Sequence, residues 1–256
     1  DYQGSMADFL MLVIVDKTEN TYSFLQFNRD TMTEVALIDH NGEGEATANI
    51  QLCTAHWYGG NREQSCENTV KSVKKLLGGI QIDGYYELNM SEIPKLNSMV
   101  DGVTVTLEDD FSKKYPKMKK GATINLDDEQ AYAYVHDRYG VGDEENTSRM
   151  KRQQQYMTGF FKKLQEKVKA NPNYANEVFE SLQDVSTTDI AIGKISNISN
   201  IFASGTDKGI FELAGKSKIG QALGDEMDHM EFYVNKKAMV STMSELFGIV
   251  EQKNKE

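Results

Sequence analysis

Long apolar runs, prolines and cysteines are scarce in this chain of 256 residues. No stretch approaches the roughly 20 consecutive apolar residues that span a bilayer, and the sequence shows no signal peptide. Its 3 prolines and its lack of low-complexity segments argue against a disordered linker or an internal repeat. The sequence as given is therefore predicted to be soluble and to form a single domain over residues 1–256.

Positive charge is also in short supply. The formal net charge is −11 and the isoelectric point is near 5.0. A general nucleic-acid-binding protein needs a basic face, so this class of function is disfavoured and no nucleic-acid partner is expected. Hydrophobic residues make up 39% of the chain, which is enough for a sizeable core at this length.

Near its start, the sequence predicts a β-hairpin. Residues 9–15 (FLMLVIV) form an apolar run typical of a strand buried on both faces, and residues 21–27 (TYSFLQF) follow after a short polar turn. The second strand of a hairpin ends where the first began. Arg29, just after the second strand, should therefore lie at the same sheet edge as Asp8, just before the first.

Helical patterns are interspersed with further strand-like segments. Asp127 and Gln130 have the spacing of a capping box at a helix start, and Ser65 is the predicted N-cap of a helix over residues 67–77. A long helix is predicted over residues 147–170, followed by several short ones. This order predicts an α/β fold with a central mixed β-sheet flanked by helices on both faces, in α/β/α layers.

Arginines are concentrated between residues 131 and 156. Arg149, Arg152 and Gln153 have the i, i+3, i+4 spacing that places them on one face near the start of the long helix. Free N–H groups, the partial positive charge of a helix N-terminus and guanidinium groups together make a receptor for phosphate or pyrophosphate. Alternatively, these arginines pair with the acidic residues 143–145, and the spacing does not decide between the two.

The 2 cysteines, Cys53 and Cys66, flank a loop-like segment with a Gly59-Gly60 turn. This separation suits a disulfide bond, which would close a short loop and stabilise the fold by roughly 3 kcal/mol. Two buried free thiols are the alternative, and a metal site is disfavoured because His56 has no second histidine nearby. A disulfide would place the protein in an oxidising compartment.

The order of motifs along the chain carries a family resemblance. The motifs are FLMLVIVD, FNRDTMTEV, YGG before the helix TVKSVKKLLGG, IDGYYELNM, VDGVTVTL, DDEQAYAYV and RMKRQQ. This series resembles the LytR-CpsA-Psr family from about Ala7 to about Phe247, and the pair NRDT and RMKRQQ is a fairly specific part of it. Members are membrane-anchored bacterial enzymes that act outside the cytoplasmic membrane.

The resemblance implies an activity as well as a location. It implies a phosphotransferase that moves a glycopolymer, such as wall teichoic acid or capsule, from a polyprenyl pyrophosphate carrier to peptidoglycan. It also implies assistance by Mg2+, possible pyrophosphatase activity and a membrane anchor that precedes this chain. The protein is accordingly expected at the extracytoplasmic face of a bacterial cell membrane.

Residue by residue, the resemblance assigns a substrate site. Arg29 matches the arginine of the family's RDT motif, and Arg138, Arg149 and Gln153 match its later pyrophosphate-contacting positions. These three arginines are the predicted catalytic residues. Arg152, their neighbour in sequence, is a further candidate for substrate binding.

The metal positions and two departures from the family pattern complete this assignment. Asp8 matches a family aspartate that binds Mg2+, and Asp1 is the candidate for the second metal ligand. His136, also a candidate substrate-binding residue, stands where the family usually has an arginine, so a titratable group replaces a permanent cation. Asn146 stands where an aspartate is common.

Other functions are compatible with these residues. The two departures are compatible with a module that binds polyprenyl phosphate without turnover. A transcription regulator is a weaker alternative, because the chain is acidic and has no recognisable helix-turn-helix. Apolar side chains after residue 150 either fill the core or line a slot for the polyprenyl chain.

Overall fold

The computed structural model describes residues 2–44 and 46–248. Its strands are β1 (Leu10–Asp16), β2 (Thr21–Phe27), β3 (Met32–Ala36), β4 (Thr47–Gln51), β5 (Tyr86–Leu88), β6 (Thr104–Thr106), β7 (Thr123–Asn125), β8 (Ser186–Thr188), β9 (Thr206–Glu212), β10 (Gly215–Gly220) and β11 (His229–Val234). Its α-helices are α1 (Arg62–Leu76), α2 (Ile93–Met99), α3 (Asp128–His136), α4 (Asn146–Ala170), α5 (Tyr174–Ser181), α6 (Ile192–Ser204) and α7 (Lys236–Phe247). Short 3-10 helices cover Leu52–His56, Met90–Glu92 and Gln183–Val185. The prediction of an α/β fold is confirmed.

The central sheet is mixed, as predicted. Strand β1 pairs antiparallel with β2 in the register Leu10↔Phe27, and β2 pairs parallel with β9. The predicted hairpin is therefore confirmed. The prediction that its first strand is buried on both faces is wrong, because β1 lies at the edge of the sheet and Val13 is 52% exposed. In the described part of the chain, the other strands form the two-stranded ladders β3-β4, β5-β8, β6-β7 and β10-β11.

Helices cover both faces of β2. Successive side chains of a strand point to opposite sides, so neighbouring residues of β2 contact different helices. On one face, the Phe24 ring stacks on Phe161 of α4, with ring centroids 4.1 Å apart. On the other face, Leu25 belongs to a core cluster with Val73 of α1 and Met243 of α7. The predicted α/β/α layering follows from this alternation.

Long helix α4 contributes most of its apolar residues to the interior. Tyr156 and Phe160 are buried in a second core cluster that joins α4 to α3 and to strand β6. The helix starts at Asn146, one residue before the predicted start. In the described residues, no helix is both long enough and apolar enough to cross a membrane.

Two parts of the secondary structure differ from the prediction. Helix α1 begins at Arg62 and is capped by Asn61, whose side chain accepts a hydrogen bond from the backbone N–H of Gln64. Ser65, the predicted cap, is instead fully buried inside the helix. Strand β9 lies in a region predicted to be helical, since its polar first residues and Gly209 hide the alternation on which a strand prediction depends.

Candidate anion-binding site

The turn after β2 holds Arg29 at the edge of the central sheet. The side-chain oxygen of Asn28 accepts a hydrogen bond from the backbone N–H of Asp30, and the backbone oxygen of Asn28 accepts one from Thr31. The Arg29 backbone oxygen accepts a further bond from the N–H of Cys53 at 2.9 Å. These bonds fix the backbone from which the guanidinium group projects.

Asp8 joins two of the predicted arginines. Its carboxylate pairs with Nη1 of Arg29 and lies 3.2 Å from Nη1 of Arg149. The Arg149 side chain is only 6% exposed, against 26% for Asp8. The topological prediction that Asp8 and Arg29 share one sheet edge is confirmed, and Arg149 from the start of α4 meets them there.

A pair of asparagines positions Arg149. Asn146, at the start of α4, accepts a hydrogen bond from Nη2 of Arg149 at 2.9 Å. Its amide nitrogen donates to the side-chain oxygen of Asn28 at 3.0 Å. All three residues are buried, so this chain of bonds ties α4 to the turn after β2. Asn146, which stands where the family commonly has an aspartate, therefore helps to hold Arg149 in position.

Arg138 adds positive charge in the surroundings of Asp30, while its guanidinium group donates a hydrogen bond to the hydroxyl of Tyr139 at 2.6 Å. Burial raises the pKa of the Asp30 carboxyl, against the opposing effects of Arg29, Arg138 and Arg149. Burial likewise lowers the pKa of Arg149, an effect that Asp8 opposes and that Arg29 and Arg138 reinforce. Three arginines from separate segments of the chain therefore act electrostatically on one pair of carboxylates.

Several polar atoms at this site have no partner among residues 2–44 and 46–248. The Nε atoms of Arg29 and Arg149 are buried without a hydrogen-bond acceptor, and Oδ2 of Asp30 is buried without a donor. Buried polar atoms are normally paired in folded proteins. The guanidinium groups of Arg29 and Arg149, with a third arginine nearby, have the charge and the planar shape that suit the oxygens of a phosphate or pyrophosphate.

Oxygen ligands for Mg2+ are available at the same place. Asp8 and Asp30 are close enough that the charge of Asp8 contributes to the raised pKa of Asp30, after the larger effects of burial and the arginines. Mg2+ is commonly held by one or two carboxylates together with substrate phosphates, so the Asp8 carboxylate with such phosphates fits this ion. In residues 2–44 and 46–248, no group of three or more His, Cys, Asp or Glu side chains could hold a metal. Asp1, the other predicted ligand, lies outside the described residues.

Arg152 and Gln153 are engaged in hydrogen bonds within the fold, and their predicted role in substrate binding stays a prediction. Arg152 is 1% exposed and donates to Asp109 at 2.5 Å, to the backbone oxygen of Tyr134 at 3.0 Å and to that of Asp137. The Gln153 amide accepts from Gln26 of β2 and donates to the backbone oxygen of Val135 at 3.1 Å. Their hydrogen-bonding groups join α4 to its neighbours, so both residues serve the fold.

His136, at the end of α3, is largely engaged with its neighbours in sequence. Its ring stacks on Tyr132, with centroids 4.7 Å apart, and its Nδ1 lies 3.2 Å from a carboxylate oxygen of Asp137. The side chain is 38% exposed. Its predicted contact with the substrate stays a prediction.

The predicted disulfide is absent from the structure. Cys53 and Cys66 are both free and buried. Cys66 lies on α1 with its sulfur 3.8 Å from Nε2 of His56, whereas Cys53 lies beside Arg29. Each thiol therefore has its own surroundings, and burial raises the pKa of Cys66 to about 12. The alternative of two buried thiols describes this structure.

The sequence analysis overlooked Asp30 and Asn28 as members of the site. Both are buried and polar, and both come directly at the end of a buried strand. Polar residues at the end of such a strand are the signal that would have identified them.

Fold and site together define the class of protein: an α/β protein with an arginine-rich site at the edge of its central sheet. A family model described as LytR_cpsA_psr family matches residues 2–247. The chain therefore belongs to the LytR-CpsA-Psr family.

Solved structures share this fold. B. subtilis TagV is similar with 20% identity and a TM-score of 0.71, over 97% of this chain and 92% of that one. TagT bound to LI-WTA is similar with 20% identity and a TM-score of 0.68, over 95% of this chain and 84% of that one. EF0465 from Enterococcus faecalis, described as a transcriptional regulator, has 18% identity and a TM-score of 0.68, over 95% and 84%. A comparison with curated proteins gives no match.

Proposed function

We propose that this protein transfers a glycopolymer from a polyprenyl pyrophosphate carrier to peptidoglycan, outside the bacterial cytoplasmic membrane. The observation that carries the proposal is the convergence of Arg29, Arg138 and Arg149 around Asp8 and Asp30, with buried guanidinium donors left unpaired. Membership of the LytR-CpsA-Psr family and the likeness to TagT, solved with LI-WTA, support the same reading.

The proposed reaction at this site forms one P–O bond and breaks another. A hydroxyl of the acceptor forms a new bond to the phosphorus that carries the glycopolymer, the bridging P–O bond breaks, and polyprenyl phosphate leaves. Guanidinium groups would neutralise the negative charge that spreads over the phosphate oxygens. When bound, Mg2+ would add further positive charge and coordinate pyrophosphate oxygens.

Asp30 is the candidate acceptor for the hydroxyl proton. A general base works best when its pKa lies closer to the working pH than that of an ordinary carboxylate. Burial, which outweighs the effect of the arginines, raises the pKa of Asp30 in this direction. Asp8 suits this role less, because its carboxylate pairs with both Arg29 and Arg149.

Conservative substitutions of the arginines test the proposal. Lysine keeps the charge of Arg29, Arg138 or Arg149 but loses the planar fork that binds two oxygens at once. Turnover of a polyprenyl pyrophosphate-linked glycopolymer should fall roughly 100-fold in each variant, the loss typical of one missing transition-state donor. Arg62→Lys is the matched control, since Arg62 forms a more exposed ion pair with Glu87. Normal turnover in all three variants would refute the proposal.

A binding module without turnover is the second candidate function. It is favoured by His136, which stands where the family usually has an arginine. The charge of the histidine ring depends on pH, whereas an arginine is permanently charged. The wild-type protein separates the two functions in a single assay with Mg2+. Saturable binding of the carrier without release of polyprenyl phosphate would identify the module.

A transcription regulator has support only from the description of the E. faecalis neighbour. The net charge of −11 opposes it, because DNA binding requires neutralisation of phosphates by basic side chains. Salt-dependent binding to duplex DNA would favour this function over transfer.

A further inference from the structure

A second concave site lies next to the arginine site and has a different chemistry. Its cavity volume is about 240 Å3. Aromatic and small residues form its walls and polar residues its rim; they include Tyr2, Gly4, Asp39, His40, Trp57 and Tyr58. Ligand sites in proteins commonly combine aromatic walls with a few polar groups in this way.

Trp57 is the principal apolar surface of this cavity. It is the only tryptophan in the chain, and it is 46% exposed although its backbone N–H is bonded to Thr54 at the end of the 3-10 helix Leu52–His56. A large aromatic side chain loses hydrophobic stabilisation when it remains in contact with water. The exposed indole is therefore available to a ligand, and its backbone is fixed by the bond to Thr54.

The walls of the cavity are fixed by their own contacts. The Tyr2 hydroxyl donates to the Ser65 hydroxyl oxygen at 3.0 Å. Gly4 lies so close to the loop that an added Cβ would be 2.3 Å from the backbone oxygen of Trp57, so only glycine allows this approach. Tyr58 packs against the core cluster of Val35, Ile50 and Ala55. The cavity is thus formed before any ligand binds.

A sugar ring matches this surface better than a lipid or a phosphate does. One face of a pyranose presents C–H groups that pack on an aromatic ring, while its edges carry hydroxyl and amide groups for a polar rim. Asp39 and His40 supply polar groups of this kind, and the charge of the Asp39 carboxylate disfavours a phosphate group, which carries up to two negative charges. A polyprenyl chain would find polar groups where it needs apolar ones.

Hydrogen bonds connect this cavity to the arginine site. The backbone N–H of Ala7 donates to the oxygen of Cys53, and Nδ1 of His56 lies 3.0 Å from the oxygen of Ser5. Residues 4–8 therefore run along the 3-10 helix from Trp57 towards Asp8 and Arg29. At about 2 Å of rise per residue, the four steps from Cys53 to Trp57 span roughly 8 Å, a distance that a short oligosaccharide covers.

We propose that the Trp57 cavity binds an N-acetylated sugar ring of the peptidoglycan acceptor and so brings a neighbouring hydroxyl to the arginine site. This inference rests on the proposed transfer reaction and names the place of its acceptor. The donor glycopolymer also contains sugar rings, so the test must separate the two sources.

Binding can be measured directly, because Trp57 is the only tryptophan and its fluorescence reports on the cavity. The acceptor probe is a soluble peptidoglycan fragment of alternating N-acetylglucosamine and N-acetylmuramic acid, and the donor probe is the glycopolymer freed of its lipid. A saturable fluorescence change with the acceptor probe alone is expected. No saturation with the acceptor probe, or saturation with the donor probe instead, would overturn the proposal.

Activity measurements provide a second test of the proposed acceptor site. In Trp57→Ala, transfer to peptidoglycan should fall roughly tenfold, the loss of one aromatic contact, while release of polyprenyl phosphate to water stays within about twofold of wild type. Met227→Ala is the control, because Met227 is also exposed but does not line the cavity. Equal losses in both reactions, or unchanged transfer, would refute the assignment. A wild-type protein that binds the acceptor probe but never releases polyprenyl phosphate would refute the proposed function alone.

Discussion

At the scale of single residues, two arginines one turn apart on α4 have different roles. Arg149 keeps a free buried donor at the anion site, whereas every nitrogen of Arg152 is bonded to Asp109 or to backbone oxygens. Spacing alone placed both on one face and could not separate them. The difference arises from the loop of Asp109, which is distant in sequence and reaches only Arg152.

Arg152→Met should therefore damage the fold. The substitution leaves the carboxylate of Asp109, which is 13% exposed, without its partner. Removing one member of a buried ion pair costs about 3–5 kcal/mol of unfolding free energy. Urea denaturation measures this loss, with the exposed neighbour Lys151→Met as the control. A loss no larger than that of the control would show that Arg152 is not a structural residue.

Replacing Asp30 by asparagine should raise the stability of the protein at neutral pH and lower its activity. Its pKa is raised by burial, so the folded state holds the proton more tightly than the unfolded chain does. The stabilisation due to this proton is complete at acid pH and is lost as the pH rises through the folded pKa. Asp30→Asn should therefore melt at a higher temperature than wild type at neutral pH.

The same variant should lose most of its turnover, because the proposed proton acceptor is gone. Thermal melts across the pH range check the stability effect, which should vanish below the ordinary aspartate pKa of about 3.9. A melting temperature difference that is constant with pH would contradict the account.

The thiols provide a test that does not depend on activity. Cys53 and Cys66 are both free, so the unreduced protein should expose 2 reactive thiols per chain after unfolding in denaturant. In the folded state both should react slowly, since burial raises the pKa of each. Titration with a thiol reagent gives the count. The absence of reactive thiols in denaturant would show that Cys53 and Cys66 form a disulfide after all.

At the scale of elements, helix α3 shows what local sequence determines. Asp127 accepts a hydrogen bond from the backbone N–H of Gln130, whose side chain in turn accepts from Asp127, so the predicted capping box is confirmed. Asp127→Ala should lower the free energy of unfolding by about 1 kcal/mol. Glu129→Ala, in the same exposed turn, is the control. Equal stability of the two variants would mean that the capping box does not stabilise α3.

Other elements depend on partners that are distant in sequence. The β1–β2 hairpin was predictable because its apolar run and polar turn are local signals. Strand β9 was not, since its first half is exposed and its partner strand β2 is about 185 residues away in sequence. The cap of α1 was misplaced by four residues because Asn61 and Ser65 are both good capping residues, and only the burial of Ser65 distinguishes them.

At the scale of the whole molecule, the fold gathers Asp8, Arg29 and Arg149 at one place, and Arg138 is near enough to affect the pKa of Asp30 and of Arg149. Sequence reasoning predicted the meeting of Asp8 and Arg29 from hairpin topology, and that of the arginines from family resemblance and the ends of elements. It could not predict the role of Asp30 or the exposed Trp57, because burial and cavities depend on tertiary packing.

The central claim is that the three arginines bind one pyrophosphate. A crystal structure of the protein with a polyprenyl pyrophosphate and Mg2+ tests it most directly. The account predicts pyrophosphate oxygens within hydrogen-bond distance, about 3 Å, of guanidinium nitrogens from Arg29, Arg138 and Arg149. Density for the pyrophosphate elsewhere on the protein, or in contact with none of these arginines, would contradict it.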